Sequence, residues 1–581
     1  MGIKRPFSAA LLGLPQDTEP YAEVMSPPWN YYSSVNNAGK RVNTLTHYNN
    51  AYGGEDVIVP YGHTELQYYV TNQYNSYETL PFYGHTSLNS VDINNVPGKD
   101  QKYHGTFVGC TNLTQVTNFS PDTIALTSTF QDCTSFNSPI NIPKNTYILD
   151  KTFVGCTSFN QPVEIPKDIS AIRQTFYGCS SFNQPINIPE GGFYYNTYAM
   201  MYGCSNFNSP ITLGEGAQNI DFLLALCTNF NQPVTIPTST TSMYRAFSNC
   251  MNFNQPVTIP NGVTNAGFAF YGCNNFNSPV SVPESVTDLS GFLWSCRYFN
   301  YPINISNNVT DMYGTFCGTE KFNQPVTIPH GVTNLYATFW RANAFNQPIE
   351  IPNTVTNMQQ TFQCAHGFNY PINIPDSVLT AYSLINHCSN FNAPVRLGNN
   401  ITNIALMLQQ TRFNHPITIP NSVINMANTF ASCSMFNQLV TIPSNVKDMS
   451  ATFRYCYNFN QQVTIPNSVT NLCRTFTSCR NLNQDINIGT GVNNMAWTFT
   501  ETLNFRGLVK VHSTEVTNAF NCFSSTNRAT VHIPYRYSNG TSTKTYNAFL
   551  AAGYQPEQRV HNVYMTEINM PIPECSDELG G

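Results

Sequence analysis

Charge is the first thing this sequence is short of. Of 581 residues only 26 are Lys or Arg and 32 are Asp or Glu, so 10% are charged, against roughly 25% in ordinary soluble domains. The net charge of −6 excludes a basic nucleic-acid binder and a highly charged disordered chain. Long apolar runs are missing too: none reaches the ~18 consecutive residues of a membrane span. There is no H-E-x-x-H, no G-x-S-x-G, no P-loop and no G-x-G-x-x-G. No metal, nucleophile or phosphate motif therefore points to an enzyme, and no cofactor is expected. No cysteine pair has C-x-x-C zinc spacing, and no metal site is expected. Lys4 and Arg5 precede an apolar patch over residues 7–14, but it is short for a signal peptide and no small-x-small site follows. With Met1 in place, the expectation is a chain without an export signal.

What is present is repetition. Phe-Asn recurs with its Phe at 136, 159, 182, 207, 230, 253, 276, 299, 322, 345, 368, 391, 413, 436 and 459, a spacing of 23 broken once by 25 and once by 22. Degenerate copies at Leu88, Leu113, Leu482, Phe505 and Asn527 extend the register, giving 20 units over residues 88–534. The consensus is F-N-Q-P-V-T-I-P-N-S-V-T-N-M-x-x-T-F-x-x-C-x-x, apolar at positions 1, 5, 7, 11, 14 and 18. A period of 23 is too short for a helix pair and fits one coil of a β-solenoid, whose apolar face is buried only by stacking. Positions 5 to 7 alternate in the period-2 pattern of a strand. Pro at positions 4 and 8 cannot donate to a ladder, so each strand should be about three residues, as at 163–165. Parallel spacing of about 4.8 Å makes twenty coils a rod or arc roughly 95 Å long.

Ile-Pro at positions 7 and 8 and Phe-x-x-Cys at 18 to 21, as in FNQPVEIPKDISAIRQTFYGCSS over 159–181, resemble the BspA-type leucine-rich repeat. The departures are Phe-Asn where Leu is commoner and the added Pro at position 4. The resemblance implies a mainly β leucine-rich-repeat solenoid on an exposed surface, often adhesive, and identifies no ligand.

Position 2 is Asn in sixteen successive units, from Asn137 to Asn483, which predicts a ladder of amides bonding one to the next. Thirteen of 18 cysteines stand at position 21, and Thr319, Ala342 and Ala365 replace them mid-run. A small residue is what that site needs, which predicts buried, reduced thiols. Disulfides between adjacent coils are the alternative. Asp288 and Asp311 at position 13 should stack about 5 Å apart and could hold a cation. Their column neighbours Asn265 and Asn334 point instead to turn chemistry.

Residues 1–87 carry no clear repeat and many tyrosines, among them Tyr31, Tyr48, Tyr61, Tyr68 and Tyr74. They read as an N-terminal cap or docking region. Residues 535–581 read as a C-terminal cap and tail, with a short helix at 545–553 (TYNAFLAAG) and a last strand near 560–568.

Binding information should lie where outward positions break the consensus. Tyr301, Tyr370 and His415 do so at position 3, Glu350 and Arg396 at position 6, and Trp294 and Trp340 at position 19. Aromatics and Arg are the usual interface anchors. Three functions follow. The first is a bacteriophage fibre or adhesin at the virion surface, binding a host-surface glycan or protein and joined to other virion proteins through residues 1–87. The second is a cell-surface adhesin of the BspA type. The third, a glycan-degrading spike, is disfavoured because Glu164 and Glu350 would lie about 38 Å apart, against roughly 5–9.5 Å for a glycosidase pair. Neither nucleic acid nor a membrane span is expected, and oligomerisation is left open.

Overall fold

The computed structural model describes residues 101–190, 195–526, 529–537, 540–557, 559–560 and 563–567, and shorter pieces upstream at 29–35, 41–48, 56–58, 82, 84, 86 and 88–92. The chain forms two compact units, Met1–Asp288 with Ser295–Phe299, and Leu289–Trp294 with Asn300–Gly581. Each is a stack of the 23-residue coils that the repeat predicts, making a mainly β solenoid.

One coil of the first unit shows why the sequence stacks. Phe253, Val257, Ile259, Val263 and Phe270 are all at most 3% exposed. The two Phe columns interleave: Phe270 lies 4.6 Å from Phe276 and 5.4 Å from Phe247 between ring centroids, nearly parallel in both cases. A single coil could shield neither ring, so burial is supplied by neighbours along the stack.

The between-coil hydrogen bonds are not mainly where the strand pattern put them. Residues 163–165 form no named strand, a correction to the expectation of one per coil. Two three-residue pairs have Gly at position 8 of the later coil. Ile211–Leu213 pairs with Ile186–Ile188, and Ile486–Ile488 with Val463–Ile465. There Gly214 N–H donates to Ile188 O at 2.9 Å and Gly489 N–H to Ile465 O at 3.0 Å. Proline lacks that donor, but Gly alone does not secure a third pair: with Gly398 in place, Val395–Arg396 still pairs with Ile372–Asn373 over two residues. With Pro260 and Pro283 at that position, Val257–Thr258 and Val280–Ser281 pair over two residues.

Positions 14 to 20 carry the stacking instead. In one coil Leu149, Lys151, Phe153 and Gly155 donate their N–H groups to Ala171, Arg173, Thr175 and Tyr177 of the next, at 2.7 to 2.8 Å. Position 13 adds one parallel bridge per step, as in Ala125↔Ile148↔Ala171. This segment is termed the turn arc, and positions 3 to 8 the strand arc.

The asparagine column also differs from expectation. Each Asn side-chain oxygen accepts the backbone N–H of the next coil's Asn, as from Asn160 to Asn137 and from Asn346 to Asn323 (2.8 and 2.9 Å). The polar side chain at position 3 adds a second donor, as Gln347 does to Asn323. The amides thus satisfy peptide groups beside Pro-interrupted strands rather than one another.

Upstream of residue 88, Asp56–Ile58 pairs in parallel with Ser90–Asp92, which pairs with Gln115–Thr117. Trp29–Val35 and Arg41–Tyr48 form an antiparallel pair. Tyr61, Tyr68 and Tyr74 lie outside the described residues. At the other end a helix spans Lys544–Ala551, capped by Thr543, whose hydroxyl accepts the Tyr546 N–H. Val563–Glu567 pairs with Thr530–Ile533, and Arg559–Val560 closes that sheet antiparallel. The tail from Glu574 lies outside the described residues.

Candidate functional site

The turn arc is built from two inward and two outward columns. Inward, the position-17 Thr is fully buried and donates its hydroxyl to two carbonyls, as Thr361 does to Leu335 O and Met358 O at 2.9 and 2.8 Å. The position-21 thiol donates to the position-18 carbonyl of the preceding coil, as Cys156 does to Phe130 O at 2.9 Å. Cys156, Cys179 and Cys204 are free and fully buried. Burial drives all three thiols well above their ordinary range, and the adjacent thiols push Cys179 further. These are inert core groups, not nucleophiles.

Outward, positions 16 and 20 adopt left-handed backbone. Arg245, Phe268 and Arg474 do so at position 16 and Arg341 and Tyr455 at position 20, with φ of 55 to 61°. Such residues cost of order 1 kcal/mol each and persist because the ladder on both sides holds them. Position 13 starts the turn: Asn334 Oδ1 accepts the Tyr336 N–H at 3.0 Å, and Asp448 accepts that of Ser450 at 2.8 Å. Asp311 plays the same part, accepting from Tyr313 N–H and from Asn334 Nδ2. Asp288 belongs to the first unit, where it pairs with Asn265. Among the described residues no group of His, Cys, Asp and Glu could hold a metal ion.

Side chains at positions 15, 16, 19, 20 and 22 make a face of aromatic rings and arginines. In the first unit the Arg245 guanidinium lies 4.9 to 5.9 Å from the centroids of Phe222, Tyr244, Phe268 and Tyr271. Beside it Tyr177 stacks on Tyr202 at 4.5 Å. Burial and the facing Tyr202 raise the Tyr177 phenol. In the second unit Trp294 meets Tyr313 at 5.9 Å and Trp340 edge-on at 6.3 Å, and Arg341 lies over Trp340 at 5.2 Å. Gly314, at φ 57°, makes room: a Cβ there would fall 2.6 Å from the Trp294 ring. Burial pushes the Cys317 thiol up to about 12. It also raises Cys364, held back by the Trp340 indole and by Arg341. Further along, Arg454 lies over Tyr455, Arg480 over Tyr457 and Arg474 over Trp497.

Of the seven residues read from the sequence, the structure brings Trp294 and Trp340 together, both half-buried in this face. The other five stand on the strand arc. Tyr301 and Tyr370 are 39% and 36% exposed, and Glu350 and Arg396 are exposed. Arg396 adds its charge to the Asn399 hydrogen bonds that lower the Asp376 carboxyl. His415 is half-buried, with Nε2 2.9 Å from Asn392 O, the place that Gln347 fills against Asn323 O in another coil. The aromatic run of the first unit and the arginine pairs at 454–497 were missed. For the first unit a signal was available: glycine alternating with large side chains at position 20, as in Gly178, Gly203 and Gly272.

A family model described as "Mycoplasma protein of unknown function, DUF285" matches residues 101–214, 200–285, 264–374, 333–442, 383–488 and 442–534. No curated protein matches. Among solved structures, the chain is similar to a leucine-rich repeat protein from Bacteroides ovatus (15% identity, covering 94% of this chain and 100% of that one, TM-score 0.26). It is similar also to one from Eubacterium ventriosum (13%, 85% and 92%, TM-score 0.25). A leucine rich cell surface protein from Faecalibacterium prausnitzii gives 13% identity, 81% and 95% coverage and a TM-score of 0.20. The solenoid is read from this chain's own hydrogen bonds, not from these superpositions.

Proposed function

Because the chain belongs to the family described as a Mycoplasma protein of unknown function, DUF285, we propose that it is a non-enzymatic binding and structural protein displayed on a surface. The observation that supports this most is the division of labour in each coil. Phe, Thr and Cys seal the inside, while rings and arginines at positions 16 and 20 are held outward on rigid backbone. Aromatic and Arg side chains fixed in this way lose little freedom on binding.

The finer reading is a bacteriophage fibre or adhesin, presenting the solenoid to a host-surface glycan or protein and docking to other virion proteins through residues 1–87. Its support is the antiparallel pair at Trp29–Val35 and Arg41–Tyr48, unlike the parallel coils. A BspA-type adhesin on a cell is the second reading, favoured by the family's description as a Mycoplasma protein. Trp294, Tyr301, Trp340, Glu350, Tyr370, Arg396 and His415 are the proposed contacts. Changing Tyr301, Trp340 and Tyr370 together to Ala should leave a folded chain whose attachment to host cells falls about tenfold or more. The pair Tyr301→Ala and Tyr370→Ala, both exposed, guards against misfolding. Normal attachment by folded variants removes this contact set. Mass spectrometry of purified virions decides the bearer: presence of the chain there supports the fibre, absence the cellular adhesin.

A further inference from the structure

We infer that the outward face at Arg454 and Arg480 binds an acidic glycan, a run of sugar rings carrying carboxylate or sulfate groups. The inference rests on the binding role proposed above and names its ligand class at a place outside the residues read from the sequence. Arg454 and Arg480 sit on adjacent coils with two tyrosines between them. The Arg454 guanidinium is 4.5 Å from the Tyr455 ring centroid and donates from Nη2 to the Tyr455 hydroxyl at 2.9 Å. Tyr455 and Tyr457 lie 6.3 Å apart, and the Arg480 guanidinium is 4.7 Å from Tyr457. The result is a continuous Arg–Tyr–Tyr–Arg row, with Arg480 exposed and Tyr457 38% exposed.

Neither guanidinium has a carboxylate partner among the described residues, whereas Arg173 is paired with Asp150 and Lys544 with Glu515. The Glu501 carboxylate accepts the Ser478 hydroxyl at 2.6 Å and makes no ion pair with either guanidinium among the described residues. Arg454 Nε is buried and meets no acceptor. That atom is sealed from solvent, so the guanidinium a ligand can reach is that of the exposed Arg480. A guanidinium fork fits a carboxylate or sulfate with two parallel hydrogen bonds. The phenols between offer an apolar face and a polar tip, which suits a sugar's C–H faces and hydroxyls.

Nucleic acid fits less well. The two rings are inclined at 55°, so they offer no parallel slot for a base. The net charge of −6 also supplies no general attraction for phosphates.

The test uses the full chain and calorimetric titration with a hyaluronan octasaccharide, a heparan sulfate octasaccharide, neutral maltooctaose and a single-stranded oligodeoxynucleotide. Binding of an acidic oligosaccharide at least about tenfold tighter than maltooctaose is expected, with loss of at least about tenfold in Arg480→Glu at unchanged melting temperature and a smaller loss in Arg480→Lys. No binding of either acidic oligosaccharide, equal binding by a folded Arg480→Glu variant, or tighter binding of the oligodeoxynucleotide overturns the proposal. Cell attachment separates it from the reading it rests on. Wild-type chain that binds acidic oligosaccharide yet attaches to no cell keeps this site and ends the adhesin role. Wild-type chain that attaches as well as Arg480→Glu does keeps the adhesin role and ends this site as its means of attachment.

Discussion

The strand arc and the turn arc of each coil divide two jobs that a β-solenoid is expected to give to one sheet. On the strand arc, Val or Ile at positions 5 and 7 points inward, but Pro at 4 and 8 interrupts the ladder and pairing is confined to short stretches such as Ile186–Ile188 with Ile211–Leu213. On the turn arc no strand is named, yet Leu149, Lys151, Phe153 and Gly155 each bond to the next coil. Stacking therefore depends on where donors and acceptors face each other, not on extended conformation. Left-handed residues at positions 16 and 20 let the chain turn repeatedly while keeping its N–H groups along the stack.

The largest expected effect tests whether the turn arc holds the core. Phe270→Ala should cost about 3–5 kcal/mol, because the ring is fully buried between Phe247 and Phe276 and its removal leaves a cavity. Hydrogen exchange of amides in the flanking coils is the measurement, since a stack of repeats need not unfold in one step. A loss under about 1 kcal/mol would mean that the coil collapses to fill the gap, and the arcs would then differ less than their hydrogen bonds imply.

Alkali tests the sealed thiols. Burial raises Cys433 to about 11, held back by the Thr411 hydroxyl, and raises Cys156, Cys179 and Cys204 further. A thiol with a raised folded-state value keeps its full contribution to stability below the ordinary thiol range, about 8.5. As pH rises from there, the unfolded chain ionises first and stability falls, by about 1.4 kcal/mol per pH unit for each such thiol. For Cys433 the loss should level off near pH 11. Denaturant titrations between pH 8 and 11 measure the slope. The same residues should resist thiol reagents until denaturant is added, and rapid labelling of the native chain would show that the column is open.

The smallest effect makes one chemical change on both arcs. Thr361→Val removes a buried hydroxyl from Leu335 O and Met358 O and should cost about 1–3 kcal/mol. Thr418→Val, at the exposed position 6 of the strand arc, should fall within about 0.5 kcal/mol of zero. Equal costs would remove the distinction between the arcs.

Much of the fold was legible because a repeat averages its own signal. Twenty copies made the inward columns plain, and Phe253, Val257, Ile259, Val263 and Phe270 are buried as the register required. The helix expected at 545–553 forms at Lys544–Ala551. The candidate site was legible only in part. Trp294 and Trp340 were found because large aromatics at position 19 break the consensus. Arg454, Tyr455, Tyr457 and Arg480 were passed over because positions 19, 20 and 22 vary from unit to unit, and polar variation there looks like ordinary surface.

By itself, then, the amino-acid order determined the period, the inward columns and the small-residue requirement at position 21, since each follows from local volume and polarity repeated along the chain. Only the tertiary structure decided which peptide groups join one coil to the next, that Asn side chains bond backbone rather than each other, and which outward side chains meet. Those outcomes depend on the left-handed turns at positions 16 and 20 and on distances between residues one coil apart, 22 in sequence for the turn-arc bonds of Leu149, Lys151, Phe153 and Gly155. No single coil contains either partner's neighbour, so only the stack can set them.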